Sequence, residues 1–238
     1  MSNKYATRLG VASVLILALG FTATSAQAAA VSATAQLFGV STVGTPILTF
    51  SNDQYAQGAQ NSLGGDLFHF GSSQRELFLN DSIDGGNTVA TARSGIESDL
   101  PVTNAGTIGN AAASAYTTYS FDYVATGAGQ VFVDFDYLYS VTILDIQAGE
   151  QAGVSSSVVA VEEGKPGTNV SALFFFSNQE NNDFGSERLR LTLNVLDGQT
   201  GTISFTAASQ GFTTAVPVPA AVWLFGSALI GMLRLRRK

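Results

Sequence analysis

Along residues 130–144 apolar and polar side chains alternate with a period of two. Val131, Val133, Phe135, Tyr137, Tyr139 and Val141 fall on one side, and Phe132, Asp134, Asp136, Leu138 and Ser140 on the other. This alternation predicts a strand with one buried face. Residues 116–124 repeat it, with Tyr119, Phe121 and Tyr123 opposing Ser120, Asp122 and Val124, and the Gly-containing link 125–129 has the length of a hairpin loop. In 188–195, Leu189, Leu191, Leu193 and Val195 are predicted inward. Arg188, Arg190, Thr192 and Asn194 are predicted outward, so replacing Arg190 even by Asp is expected to be nearly neutral. The turn 197–201 then leads into 202–207, with Ile203 and Phe205 facing in. Residues 154–161 and 169–177 are predicted to pair around 162–167. The apolar run 173–176 is expected to be central and covered on both faces. Less regular strands are predicted at 31–38, 46–50, 67–70, 76–80 and 88–92. The Ala- and Gly-rich stretch 104–115 is expected to be loop.

No long amphipathic helix interrupts this pattern and no long period repeats. The fold class expected for residues 29–215 is therefore all-β, a single antiparallel β-sandwich of jelly-roll or concanavalin-like topology. Composition agrees: 45% of the 238 residues are hydrophobic and 12% are charged, which supports a core and argues against charge-driven disorder. The formal net charge of −7 is unevenly spread. Lys4 and Arg8 sit at one end and Arg234, Arg236, Arg237 and Lys238 at the other, leaving five basic residues in the body against all 18 acidic ones. Such a body repels nucleic acid, which is not expected as a partner. The chain has no cysteine, which excludes disulfides and thiolate metal sites, and a single histidine, which excludes multi-histidine ones.

The two ends read as addresses. Lys4 and Arg8 precede the apolar segment 9–21, and Ala26-Gln27-Ala28 provides the small-x-small pattern of signal peptidase. Residues 1–28 are thus predicted to be a signal peptide cut after Ala28, with a cut after Ala30 as the alternative. Near the other end, Val216-Pro217-Val218-Pro219-Ala220-Ala221 leads into the uncharged segment 222–233, which is predicted to form a transmembrane helix with Trp223 at its outer interface. The basic stop Arg234, Arg236, Arg237 and Lys238 is expected to remain cytoplasmic.

Residues 216–238 closely resemble the PEP-CTERM sorting signal of Gram-negative bacteria in its VPxPA-type variant, Val218 standing between the two prolines. The resemblance implies an exported exosortase substrate. Its precursor would be tethered to the inner membrane by the tail before release to the cell surface or extracellular matrix, where such proteins are associated with exopolysaccharide and biofilm. Signal peptidase and exosortase are then the processing partners, and exopolysaccharide is a candidate matrix partner.

The body offers little chemistry. His69 would have to serve any Ser-His-Asp triad, but it lies in an apolar strand end with no nucleophile elbow in the chain. Asp134 and Asp136 share a strand face with their Cα atoms ~6.5 Å apart. Asp122 is expected across the hairpin, a grouping that would suit glycoside hydrolysis or a cation. Such an acidic face also keeps a sheet soluble. Asn80-Asp81-Ser82-Ile83-Asp84-Gly85 matches the first half of a calcium loop, with Asp81 and Asp84 as candidate ligands, but Thr91 stands where the bidentate Glu belongs. No cofactor is expected from a motif, and calcium is the one cation these residues would suit. The expected function is that of a non-catalytic surface or matrix protein. The alternative is a lectin-like, calcium-dependent or glycan-hydrolysing module.

Overall fold

The computed structural model describes residues 29–63, 65–70, 76–83, 88–97, 100–146, 150–165, 169–177 and 180–214. The predicted signal peptide (1–28) and sorting segment (216–238) lie outside them. The described residues form twelve strands: β1 (Ala30–Gly44), β2 (Ile47–Asn61), β3 (Asp66–Phe70), β4 (Glu76–Ile83), β5 (Thr88–Glu97), β6 (Leu100–Ile108), β7 (Ala111–Thr126), β8 (Gly129–Leu144), β9 (Gln151–Glu162), β10 (Asn169–Ser177), β11 (Asn181–Val195) and β12 (Thr200–Thr214). They make two six-stranded antiparallel sheets. The first runs β11-β8-β1-β6-β5-β4 and the second β10-β9-β12-β7-β2-β3. The sheets face each other, with β6 against β12 and β7, and β1 against β12 and β9. This is the sandwich that the alternation predicts.

The inward faces of β8, β11 and β12 are those expected. Val131, Val133, Phe135, Leu191, Leu193, Ile203 and Phe205 are buried in one cluster, where the Phe135 and Phe205 rings meet edge-on with centroids 5.4 Å apart. Strand partnership differs from expectation. The link 125–129 does not make a hairpin, because β7 lies in the second sheet and β8 in the first. The chain crosses between sheets there, and again between β11 and β12. Alternation specifies which face of a strand is buried, and both a hairpin and an inter-sheet crossing satisfy it. The crossing also separates Asp122 from Asp134 and Asp136, because it places them on the outer faces of different sheets. The predicted pairing of 154–161 with 169–177 is present as β9 and β10.

Two further expectations are overturned. Residues 104–115 are not loop: they supply most of β6 and the start of β7. Ala105, Ala111, Ala113 and Ala115 point inward against Ala59, Ala90, Ala92 and Leu77, so this half of the sandwich is lined by methyl groups. Hydroxyl pairs cross the same interior: Ser94 with Thr117 at 2.8 Å, Thr103 with Ser209 at 2.8 Å and Thr107 with Thr213 at 3.0 Å. Each pair joins one sheet to the other, and because a hydroxyl can either donate or accept, the two satisfy each other inside the core. The run 173–176 is not central either. β10 is an edge strand; Phe174 stacks on Tyr139, whereas Leu173 and Phe175 are 69% and 57% exposed.

Candidate functional site

The acidic ladder on β8 has partners that its sequence does not announce. Antiparallel register sets Arg190 opposite Asp134 and Arg188 opposite Asp136. Each guanidinium grips its carboxylate through two bonds. The Arg190 bonds are 2.6 and 2.8 Å and those from Arg188 are 2.7 and 2.9 Å. Arg190 also lies over the Phe132 ring, 4.7 Å from its centroid. The Asp134 side chain is 5% exposed, so this carboxylate depends on its fork. Arg190 is therefore not the tolerant outward residue expected: Asp at 190 would set a second carboxylate against Asp134.

Arginine hydrogen bonds hold the carboxyls of Asp134 and Asp136 below the usual carboxylate range, outweighing the opposing effect of burial. A general acid of a glycosidase needs the opposite shift. Because the folded-state values are depressed, the pairs contribute stability above the unfolded value of ~3.9 and lose it as pH falls through the folded values. The urea midpoint is expected to drop from pH 7 to pH 3. In Arg188→Met/Arg190→Met the pH 7 midpoint should already be low and the further drop smaller. An equal drop in both proteins would detach the acid response from these pairs.

The other candidates are dispersed. Asp81 lies on β4, and its carboxylate accepts a 2.6 Å bond from the Asn61 amide. Asp84 lies outside the described residues, so the proposed loop is not seen whole. Among the described residues no group of three His, Asp or Glu is placed to hold a metal. His69 sits on the edge strand β3 in register with Gln57. Asp122 accepts bonds from Thr202 (2.7 Å) and Asn52 (3.1 Å), which lower its pKa.

A different feature occupies the outer face of the second sheet. A groove of about 460 Å³ crosses five strands, β10, β9, β12, β7 and β2, at one end of the sandwich. Its floor is a single rung of the sheet, in which Phe175 faces Ser155, Ser155 faces Gln210, Gln210 faces Ser114 and Ser114 faces Gln60. Phe212 walls it. The Phe212 ring lies over Gly153 of the neighbouring strand, where an added Cβ would collide with ring carbons Cε1 and Cζ. Gly153 thus makes the space that lets the ring lie down on the sheet, and the ring remains 39% exposed. None of the lining residues carries a charge.

Two polar rungs farther along this face are closed on themselves. Thr118 bonds Thr206 at 2.8 Å, Ser120 bonds Ser204 at 2.7 Å, and Ser204 also donates to Glu163. The side chains of Gln60, Ser114, Ser155 and Gln210 have no hydrogen-bonding partner among the described residues. These residues escaped the sequence reading. Each sits at an ordinary outward position of a different strand, and only the register of four strands puts them in line.

Neither a protein-family model nor a curated protein matches the chain.

Proposed function

We propose that the chain is an exported, non-catalytic protein of the cell surface or exopolysaccharide matrix, delivered through a PEP-CTERM-type tail that an exosortase processes. Its body is a sandwich of jelly-roll or concanavalin-like type. The observation that carries the reading is the order of parts in 216–238: an extended Pro217-Val218-Pro219-Ala220 lead, a short apolar segment, then Arg236-Arg237-Lys238. A permanent anchor needs only the last two. A processing enzyme needs the first as well, since proteases and transpeptidases bind extended chains and proline keeps a segment extended. The membrane contact is then transient, and the arginine-paired carboxylates of Asp134 and Asp136 fit a body without acid–base chemistry.

The start of the fold supports export with a cut after Ala28. Ala29 is buried, its carbonyl accepts from Gly109, and its backbone nitrogen lies 3.2 Å from Glu150 Oε2. Cleavage after Ala28 would turn that nitrogen into an ammonium facing a carboxylate, a charge-assisted pair. Cleavage after Ala30 would remove this contact and the β1 rung in which Ala30 meets Ile108 and Leu144.

Mass spectrometry of protein from the surface of its exporting cell tests both ends. The chain should begin at Ala29 and lack its tail. Pro217→Ala/Pro219→Ala should leave membrane insertion intact and block maturation, so that a precursor about 2 kDa larger accumulates, taking the tail as roughly 20 residues. Surface material ending at Lys238 in cells with a working exosortase would overturn the sorting reading.

A further inference from the structure

We infer that the groove on the outer face of the second sheet is a binding site for a neutral polysaccharide strand, with Gln60, Ser114, Ser155 and Gln210 as the hydrogen-bonding row and Phe212 as the platform against which a sugar ring lies. This goes beyond the export reading and does not depend on it.

The hydrogen-bonding row differs from two other polar rungs of its own face, those of Thr118 and Ser120. Farther along the sheet, hydroxyls pair with hydroxyls across strands, whereas this rung leaves two amides and two hydroxyls without a partner among the described residues. Each of these groups both donates and accepts. A row with both capacities matches vicinal sugar hydroxyls, which also do both. Four inter-strand spacings make the rung about 19 Å long, enough for several pyranose rings in line.

Phe212 supplies the apolar half of the match. The face of an aromatic ring is electronegative and attracts weakly positive C–H groups. A pyranose presents such groups on its flat side while its hydroxyls point sideways, toward the Gln210 amide and the Ser155 hydroxyl beside the ring. Gly153 leaves the space in which the ring lies against the sheet, so the platform is formed before a ligand arrives. Phe175 closes the far end of the rung, 57% exposed.

Position and charge decide between ligand classes. The groove lies mainly over β9, β12 and β7, interior strands whose backbone groups are already used in the sheet ladders. An extended peptide binds a sheet by adding to an open edge, where main-chain groups are free, and gains no such bonds on a face. A ligand here is held by side chains alone. The lining lacks any Lys or Arg, and the chain carries a net charge of −7, so nothing recompenses a carboxylate, sulfate or phosphate for the repulsion it meets. A hydroxyl-rich, uncharged polymer fits both conditions.

The full-length chain, purified in detergent, is titrated calorimetrically with cellohexaose, laminarihexaose and maltohexaose, and with an alginate oligomer as the anionic comparison. At least one neutral oligosaccharide is expected to bind, unaffected by chelator, with alginate inert. Gln60→Ala/Gln210→Ala and Phe212→Ala should each weaken that binding roughly tenfold or more. Asn169→Ala, on the same face but far from the groove, should leave it unchanged. The glutamines are exposed, so their double variant keeps the test valid if loss of the Phe212 ring disturbs folding. Binding of none of the neutral sugars, equal binding by all variants, or preference for alginate would overturn the inference. So would a concentration-dependent dimer abolished by Phe212→Ala, which would assign the groove to a second copy of the chain. Sugar binding with an unprocessed tail would leave this inference standing and remove the export reading; a processed protein that binds no sugar would do the reverse.

Discussion

Leu191→Asp is expected to yield no folded protein. Leu191 is 1% exposed on β11, opposite Val133, inside the cluster that holds Phe135, Leu193, Ile203 and Phe205. Removing the side chain forfeits ~2–5 kcal/mol of burial and packing. The replacement adds a carboxylate with no partner in an apolar interior, which costs several kcal/mol more even if it takes up a proton. The sum approaches or exceeds the ~5–15 kcal/mol by which single domains are stable. Asn194→Asp, exposed on the other face of the same strand, should shift the urea midpoint little, within about 0.5 kcal/mol. Arg190→Asp should fall between the two, because it breaks the fork on Asp134 and sets two carboxylates face to face. Circular dichroism and urea melts of the three variants give the ranking. A cooperative Leu191→Asp transition near that of Asn194→Asp would contradict the placement of β11's inner face.

That ranking marks how far the sequence could be read. For β8, β11 and β12 the alternation of large apolar residues with polar ones is unambiguous, and the buried faces follow from it. The same rule is silent where both sides of a strand carry small residues. In β7, Ala111, Ala113 and Ala115 face in while Ala112 and Ser114 face out, and a hydropathy pattern hardly separates them. Their strand state comes from tertiary fit: methyl groups and paired hydroxyls such as Thr103 with Ser209 fill the space between the sheets. At β10 the continuous run Leu173 to Phe176 looks central because it is apolar on both sides, yet the strand is an edge.

Partnership is a separate quantity from burial. The short link 125–129 serves equally well for a hairpin and for a step from one sheet to the other, and nothing local distinguishes them. Everything that depends on strand order was therefore hidden. Asp134 and Asp136 read as free carboxylates because their arginines lie more than fifty residues away in the chain. The groove is hidden for the same reason, since Gln60, Ser114, Ser155 and Gln210 become neighbours only through three strand pairings. The proposed terminal signals depend on no strand order, since they are read as linear segments.

Gly201→Val should remove most of the stability by evicting one ring. Tyr123 and Gly201 stand opposite each other on β7 and β12, and the Tyr123 ring fills the space a side chain at 201 would need. A Cβ there would lie 2.7 Å from the ring carbon Cε1 and from the hydroxyl. The ring cannot swing outward, because Tyr123 is among the largest fully buried side chains of the core. Its hydroxyl donates to Glu162, whose side chain is 1% exposed and also meets Lys165, and it accepts a 3.3 Å bond from the Gln199 amide. Burial, with the neighbouring carboxylate, pushes the Tyr123 hydroxyl up to about 12, so it remains a donor across the neutral range. Displacing the ring costs ~1–3 kcal/mol in overpacking, and depriving the buried Glu162 carboxylate of a donor costs a further ~1–3 kcal/mol or more. Tyr123→Phe removes the donor but keeps the ring, so it should lose about the second amount alone. The decisive comparison is Gly201→Val in a Tyr123→Leu background, where the smaller side chain leaves room. If the glycine is there to house the ring, the valine should cost far less in that background than in the native chain, a coupling of up to ~3 kcal/mol between residues in contact. Urea melts of the four proteins measure it, and strictly additive losses would mean that Gly201 serves the backbone of β12 and not the ring of Tyr123.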